Sequence, residues 1–289
     1  MPAKLKPLAD QVIVITGASS GIGLTTARKA AKAGAAVVLV ARNEQALQAV
    51  AEEINALGGR AHAVAADVGD AEAVEAAARA AIARFGGFDT WVNVAGVGLY
   101  GDLAKVSLAD HEQLFRTNYF GVVHGSLEAV RHLKDKRDGG AVINVGSVLS
   151  DVAVPLLGAY SASKHAVKGF TDALRTELIR DGAPVSVTLV KPSSVSTPFT
   201  DHARNYMDAA PKVPPPIYAP EVVADAILHA ATHPVRQTTV GAGGRQMALL
   251  GAAAPKLADR VYAAVMPRLA KRKGDKPTRD NLHEAGVDG

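Results

Sequence analysis

The stretch Val12-Ile13-Val14-Ile15-Thr16-Gly17-Ala18-Ser19-Ser20-Gly21-Ile22-Gly23 decides the reading of the fold. Its four consecutive aliphatic residues show no polar alternation, the pattern of a strand buried on both faces. A glycine-rich turn follows at once. Gly21–Ala33 then carries apolar residues at three- and four-residue spacing, the pattern of a helix. In such a strand–turn–helix unit the glycines let a pyrophosphate approach the helix N-terminus, where free N–H groups and the helix dipole favour an anion. The spacing is Gly-x-x-x-Gly-x-Gly rather than Gly-x-Gly-x-x-Gly. Gly17, Ser19, Ser20, Gly21, Ile22 and Gly23 are the candidate phosphate-binding residues.

Outward from this unit the rhythm repeats. Strands are expected at Val12–Thr16, Ala36–Ala41, Ala61–Ala66, Thr90–Val94, Ala141–Val145, Val185–Val190 and Thr238–Gly241. Helices are expected at Gly21–Ala33, Glu44–Leu57, Ala71–Phe85, Leu108–Leu133 and Ala159–Arg180. Strand–helix alternation implies parallel strands joined by right-handed crossovers, with helices on both faces. The fold class is therefore α/β, a doubly wound parallel sheet in a single Rossmann-like catalytic domain over 1–243. Ser193 to Pro220 breaks the rhythm with six prolines, and an aperiodic loop of that length inside a domain reads as a substrate loop. Residues 244–289 read as a basic amphipathic helical tail. Leu257, Val261, Val265 and Leu269 form its stripe, and it has a disordered polar end beginning at the Lys271–Lys276 run.

Composition excludes several classes. The 289 residues are 48% hydrophobic and 21% charged, which excludes a mainly disordered chain. Cysteine is absent, so no disulfide or thiolate metal site exists, and the nine histidines show no ligand spacing. The net charge is +4, and residues from Gly244 onward, with nine Lys/Arg and five Asp/Glu, account for all of it. The neutral body and low aromatic content argue against nucleic-acid binding. The start of the chain lacks the apolar core of a secretion signal, and no apolar run is long enough to span a bilayer. A cytoplasmic protein is expected.

Further motifs sit at the predicted strand ends and in the helices. TGASSGIG, Asp67-Val68, Asn93-Val94-Ala95-Gly96, Asn118, Ser147, Tyr160-x-x-x-Lys164 and Pro192 to Thr197 occur in one order. In that order they resemble the short-chain dehydrogenase/reductase family, from about Gln11 to Gly241. Chemistry explains the grouping. A carbonyl that receives a hydride develops alkoxide charge and needs a proton. Tyr160 and Lys164, four apart, share a helix face. A neighbouring ammonium and the positive nicotinamide ring favour phenolate, so Tyr160 is expected to titrate low enough for acid–base work near neutral pH. Ser147 donates to the substrate oxygen. The resemblance adds three roles: Lys164 bonds the nicotinamide ribose, Asn118 holds a water that relays protons to Lys164, and Asp67 and Val68 meet the adenine. By the same resemblance Asn93, Ala95, Gly96 and Pro192 line the cofactor site, and Val195 and Thr197 hold the carboxamide. Two positions depart from the family pattern: Val94 replaces the second Asn of Asn-Asn-Ala-Gly, and Ser193 replaces the Gly of Pro-Gly.

Cofactor choice falls at the end of strand two, where Ala41 offers no carboxylate for a ribose 2′-hydroxyl. Arg42 there offers a planar fork of donors suited to a 2′-phosphate. NADP(H) is expected over NAD(H). The substrate is a small-molecule carbonyl or alcohol, expected to be apolar because Val97, Leu99, Leu149, Leu156, Leu157, Phe199, Tyr206 and Met207 are the candidate lining. The function expected is hydride transfer between NADP(H) and such a ketone or secondary alcohol. A catalytically idle dinucleotide sensor and a membrane-associated interaction protein are the alternatives. A homodimer or homotetramer through Leu108–Leu133 and Ala159–Arg180 is expected. The tail is expected to pack on its own subunit, reach a partner's active site or make peripheral membrane contact.

Overall fold

The computed structural model describes residues 3–272 and 279–286. Seven parallel strands form its central sheet: β1 Val12–Thr16, β2 Ala36–Ala41, β3 Arg60–Ala65, β4 Thr90–Asn93, β5 Gly140–Val145, β6 Val185–Pro192 and β7 Gln237–Val240. Their spatial order is β3-β2-β1-β4-β5-β6-β7. The register pairs Val14 with both Val38 and Trp91. The order reverses between β1 and β4, which creates a crevice at the carboxyl ends of those two strands.

Period-two geometry sends alternate strand residues to opposite faces. Ile13, Ile15, Val37 and Leu39 pack on one side against α1 (Gly21–Lys32), α2 (Glu44–Ala56) and α7 (Pro220–Thr232). Val14, Val38, Val40 and Val142 pack on the other against α3 (Ala71–Phe85), α5 (Gly121–Leu133) and α6 (Gly158–Arg180). Both faces are covered, which is why the strands read as continuous apolar runs.

The expected helix Leu108–Leu133 is not regular. It runs as α4 (Leu108–Phe115), a π-helical turn at Arg116–Phe120, and α5. Such turns insert one extra residue into the helical ladder. Asn118 lies in that turn. Helix α7, absent from the expected elements, begins with Pro220 in its first turn and buries Val223, Ala224, Ile227 and Leu228.

The tail differs from expectation in two ways. Its helical part is two helices, α8 (Ala242–Ala253) and α9 (Pro255–Leu269), separated at Ala254 because Pro255 cannot continue a helix but can start one. The buried face of α9 is Ala258, Tyr262 and Met266, while Leu257, Val261 and Val265 are exposed. Burial follows Tyr262, whose hydroxyl donates to the Met247 carbonyl at 2.7 Å and whose ring then packs inward. The tail therefore packs on its own subunit. Past Arg272, the Lys271–Lys276 run lies outside the described residues. Disorder does not describe residues 279–286: Leu282 there is fully buried, with Val97, Leu99 and Leu114.

Candidate active site

The cofactor-turn residues and Ser147 lie at or just past a strand's carboxyl end, while Tyr160 and Lys164 lie in the first turns of α6 and Asn118 lies in the π-helical turn. Thr16 starts the construction. Its Oγ1 accepts from the N–H groups of Val94 and Ala95, both at 3.1 Å, and so fastens the end of β4 to the end of β1. Gly17, at φ 67°, sits against this junction, and a Cβ there would fall 2.8 Å from the Ala95 Cα. A Cβ on Gly23 would fall 2.0 Å from the Gly17 carbonyl oxygen. These two positions admit only glycine, and the tight turn they make opens directly into α1. Ser20 makes no side-chain cap, so α1 begins with an N-terminus suited to an anion. The turn forms one wall of a cavity that is open at its mouth. Gly17, Ser19, Ser20, Gly21, Ile22, Gly23, Arg42, Asp67, Val68, Ala95, Gly96 and Thr197 all line it. This cradle fits a dinucleotide.

Asn93 is a correction. Its side chain faces away from the cavity into the core, with 2% of its surface exposed. Its carbonyl accepts from Trp91 Nε1 at 2.8 Å, and its amide donates to Asn144 Oδ1 at 2.8 Å and to Ser126 Oγ at 3.1 Å. A buried amide with satisfied donors and acceptor ties β4 to β5 and α5. The neighbouring residue that lines both cavities is Val94.

A second cavity opens beside the first and shares Ile22, Val94, Gly96, Thr197 and Phe199 with it. Ser147, Tyr160, Lys164, Pro192 and Val195 line it. Ser147 caps the 3-10 turn Val148–Ser150: its Oγ accepts from Leu149 N at 3.1 Å, and its own N–H donates to Ser150 Oγ at 3.2 Å. Its hydroxyl also lies near enough to the Tyr160 hydroxyl to favour the phenolate. Lys164 is buried, and its ammonium donates to the Val145 carbonyl at 3.0 Å, 5.7 Å from the Tyr160 ring centroid. Asn118 lies behind this wall. Its Oδ1 accepts from Val97 N at 2.8 Å, and its amide donates to Val97 O at 3.1 Å and Ser163 Oγ at 3.2 Å. A Cβ on Gly96 would meet both Asn118 Oδ1, at 3.3 Å, and Lys164 Nζ, at 3.6 Å.

The expected lowering of the Tyr160 hydroxyl is not seen in the protein alone. Burial pushes it up to about 12, opposed by the nearby Ser147 hydroxyl. Burial likewise draws the Lys164 ammonium down to about 8. The same low-polarity wall disfavours both charged forms, phenolate and ammonium alike.

Sequence reasoning found part of the second cavity. Leu149, Leu157 and Phe199 line it, and Val97 lines the first cavity. Leu99 is buried in the core instead, Leu156 faces another surface cleft, and Met207 is buried in the cluster beneath α9. Tyr206 instead donates its hydroxyl to Asp110 at 2.8 Å. The missed lining is Tyr100, Val213–Pro216, and Gln246, Met247 and Met266 from α8 and α9. Asp151 was missed as well. Its carboxylate takes Lys191 Nζ at 2.6 Å and also the ammonium of Lys168, and so joins the turn after Ser147 to β6 and α6. Among the described residues, no three His, Cys, Asp or Glu side chains come together as metal ligands would. No helix among them is long and apolar enough to cross a membrane.

Residues 11–208 match the family described as short chain dehydrogenase. The chain belongs to the short-chain dehydrogenase/reductase family. It is 45% identical over 286 residues to the uncharacterized oxidoreductase YxnA of Bacillus subtilis (strain 168), covering 98% of this chain and 80% of that one. It is 35% identical over 256 residues to the uncharacterized oxidoreductase Mb1570 of Mycobacterium bovis, covering 87% and 72%. Among solved structures, a family member from Burkholderia phymatum in complex with NAD superposes with a TM-score of 0.80 at 28% identity, covering 88% of this chain and 97% of that one. An alcohol dehydrogenase from the archaeon Thermococcus sibiricus, complexed with 5-hydroxy-NADP, gives 0.68 at 28%, covering 80% and 95%. At the level of its family the chain is an oxidoreductase with a dinucleotide-binding Rossmann-like fold.

Proposed function

We propose that this short-chain dehydrogenase/reductase interconverts an apolar ketone and its secondary alcohol with NADP(H). One observation carries the reading: Ser147, Tyr160 and Lys164 share a wall of an apolar cavity that opens onto the glycine turn. A bound reduced nicotinamide supplies the hydride that the carbonyl carbon accepts. Tyr160 gives its phenolic proton to the carbonyl oxygen, so the product leaves as a neutral alcohol; in oxidation the same oxygen takes that proton back. Ser147 donates a hydrogen bond where negative charge develops. Lys164, drawn down to about 8, exchanges protons near neutral pH and resupplies Tyr160. Asn118, by the family resemblance, holds a water that relays protons to Lys164, while its side chain also bonds the Val97 backbone and Ser163 Oγ. The turn Gly17–Gly23 holds the pyrophosphate, and Asp67 and Val68 hold the adenine. Ala95, Gly96, Pro192, Val195 and Thr197 hold the nicotinamide end. The intact set of Ser147, Tyr160, Lys164 and Asn118 argues against an idle sensor.

The choice of NADP(H) rests on Arg42, which lines the cavity beside Ser19 and Ser20 at a strand end with no carboxylate. The two solved neighbours carry NAD in one case and an NADP derivative in the other, so fold alone does not decide. The test is a carbonyl panel run in parallel with NADPH and NADH. Turnover of apolar ketones with NADPH is expected. No oxidation of either cofactor across the panel would reject the reading.

A second copy of the chain is the expected partner. Ala162, Gly169, Ala173 and Thr176 of α6 face outward, as do Phe120 and Leu127 of the π turn and α5, while Val167, Thr171, Leu174 and Leu178 face the sheet. Self-association through such a face would be isologous. The outward stripe Leu257, Val261 and Val265 of α9, with Lys256, Arg260 and Arg268 around it, fits an anionic membrane surface. Salt-sensitive co-sedimentation with anionic vesicles is expected, and its absence at low salt would reject that contact.

A further inference from the structure

Residues 280–286 cross the mouth of the first cavity. On one bank, Asn281 N donates to the His202 carbonyl at 2.8 Å, and Arg204 Nη1 donates to Asp280 Oδ2 at 3.0 Å. Both partners belong to the substrate loop. On the other bank, at the end of β2, the Arg42 guanidinium donates to the carbonyls of Asn281, His283 and Glu284, and Asn43 Nδ2 donates to Gly286 O at 2.8 Å. Between the banks Leu282 is fully buried, and His283 Nε2 lies 2.7 Å from Asp110 Oδ1. Burial alone would raise the Asp110 carboxyl. Hydrogen bonds from His283 and Tyr206 and the charge of Arg204 carry it below its ordinary value.

We propose that residues 280–286 are a strap that closes over the adenosine end of the dinucleotide site and sets how fast the dinucleotide enters and leaves, with Arg42 as its latch. The proposal rests on the reading of this cleft as a dinucleotide site. Three observations carry it. The strap bridges both banks of the cleft instead of packing to one side. It covers the cavity without filling it: Asn281 lines the wall together with Arg42 and Asp67, and the cavity beneath stays open to solvent at its mouth. Its fastenings are also of a kind that opens. They are backbone carbonyls on a partly exposed guanidinium, one partly exposed ion pair between Arg204 and Asp280, one contact from the half-exposed His283 to the buried Asp110, and one apolar side chain; so few contacts mark a segment at the low-stability end of a fold.

Rapid-mixing measurements of NADPH fluorescence test this. They compare the full chain, a chain ending at Arg279, and the full chain carrying Leu282→Asp. In both variants the association and dissociation rate constants are expected to rise together, each by about tenfold or more, while the Kd moves much less. Rate constants within about twofold of the full chain would overturn the strap. So would a faster dissociation with unchanged association, which would make the segment a fixed wall. Hydrogen exchange on the unaltered chain decides the matter if the variants do not fold: the Asn281 amide must exchange more slowly once NADPH is bound, and an unchanged rate overturns the proposal. A full chain that binds neither NADPH nor NADH would instead refute the dinucleotide reading itself.

Discussion

Replacing Asp151 with Ala removes the acceptor that holds two ammonium groups under the turn after Ser147. The side chain of Lys191 is 5% exposed and cannot reach water without moving β6. Lys168 is 35% exposed and can swing outward. One buried charge is therefore stranded, not two. Breaking a buried pair from one side costs about 3–5 kcal/mol, and with Asp151 itself 13% exposed the lower end, about 3 kcal/mol, applies. For a chain of 289 residues that lowers Tm by about 5 °C. Asp151→Ala/Lys191→Met removes both charges and should restore most of the loss, since an apolar pair of similar volume is often neutral. The pH dependence has a definite sign. Burial raises the Asp151 carboxyl, but its bonds to Lys168 and Lys191 outweigh this and hold it below the ordinary carboxylate value. Its stabilisation is therefore complete above about pH 5 and is lost as pH falls through the lowered folded value. Thermal denaturation of the wild type, the single variant and the double variant, at neutral and acid pH, measures all of this. A Tm loss under about 2 °C in Asp151→Ala, or a double variant less stable than the single, would show that Asp151 does not hold a buried ammonium in place.

Three further outcomes are expected. Gly23→Ala places a methyl 2.0 Å from the Gly17 carbonyl, so dinucleotide binding by fluorescence titration should fall by about a hundredfold or more while the fold persists. Arg42→Ala should weaken NADPH about ten- to hundredfold relative to NADH, and an unchanged preference ratio would remove Arg42 from cofactor choice. Light scattering at micromolar concentration should give a dimer or tetramer that survives truncation after Lys271; a monomeric full-length chain would refute the association.

Legibility of the sequence followed locality. The strands stood out because each is an unbroken apolar run buried between two helical layers, and Val12–Thr16 and Ala36–Ala41 match their expected bounds. The glycine turn was readable because its constraint is local: a strand must end and a helix must begin within five residues. Helix α7 had its signals, with Pro220 and Glu221 in the first turn, but Pro220 closes the proline-rich loop 193–220 and residues 221–232 carry no expected element. Apolarity alone put the stripe of α9 one residue out of phase, because Tyr262 counts as a core residue only once its hydroxyl finds the Met247 carbonyl. Asn93 carried a motif's role in the sequence, yet its amide is fully used between β4 and β5. Lys191 and Asp151 lie 40 residues apart and show no local pattern. The strap was hardest of all, since Leu282 is the one large aliphatic residue among 279–286, and the buried Val97, Leu99 and Leu114 around it lie more than 160 residues away.

Tyr160→Phe removes the hydroxyl assigned as proton donor beside a bound nicotinamide. NADPH affinity by titration and the single-turnover rate on an apolar ketone that the wild type reduces are measured side by side. NADPH binding within about twofold of wild type is expected, because the ring and its packing against Phe199 are kept, together with a single-turnover rate reduced by about a hundredfold or more. A phenylalanine variant that keeps more than about a tenth of the wild-type rate would contradict that assignment.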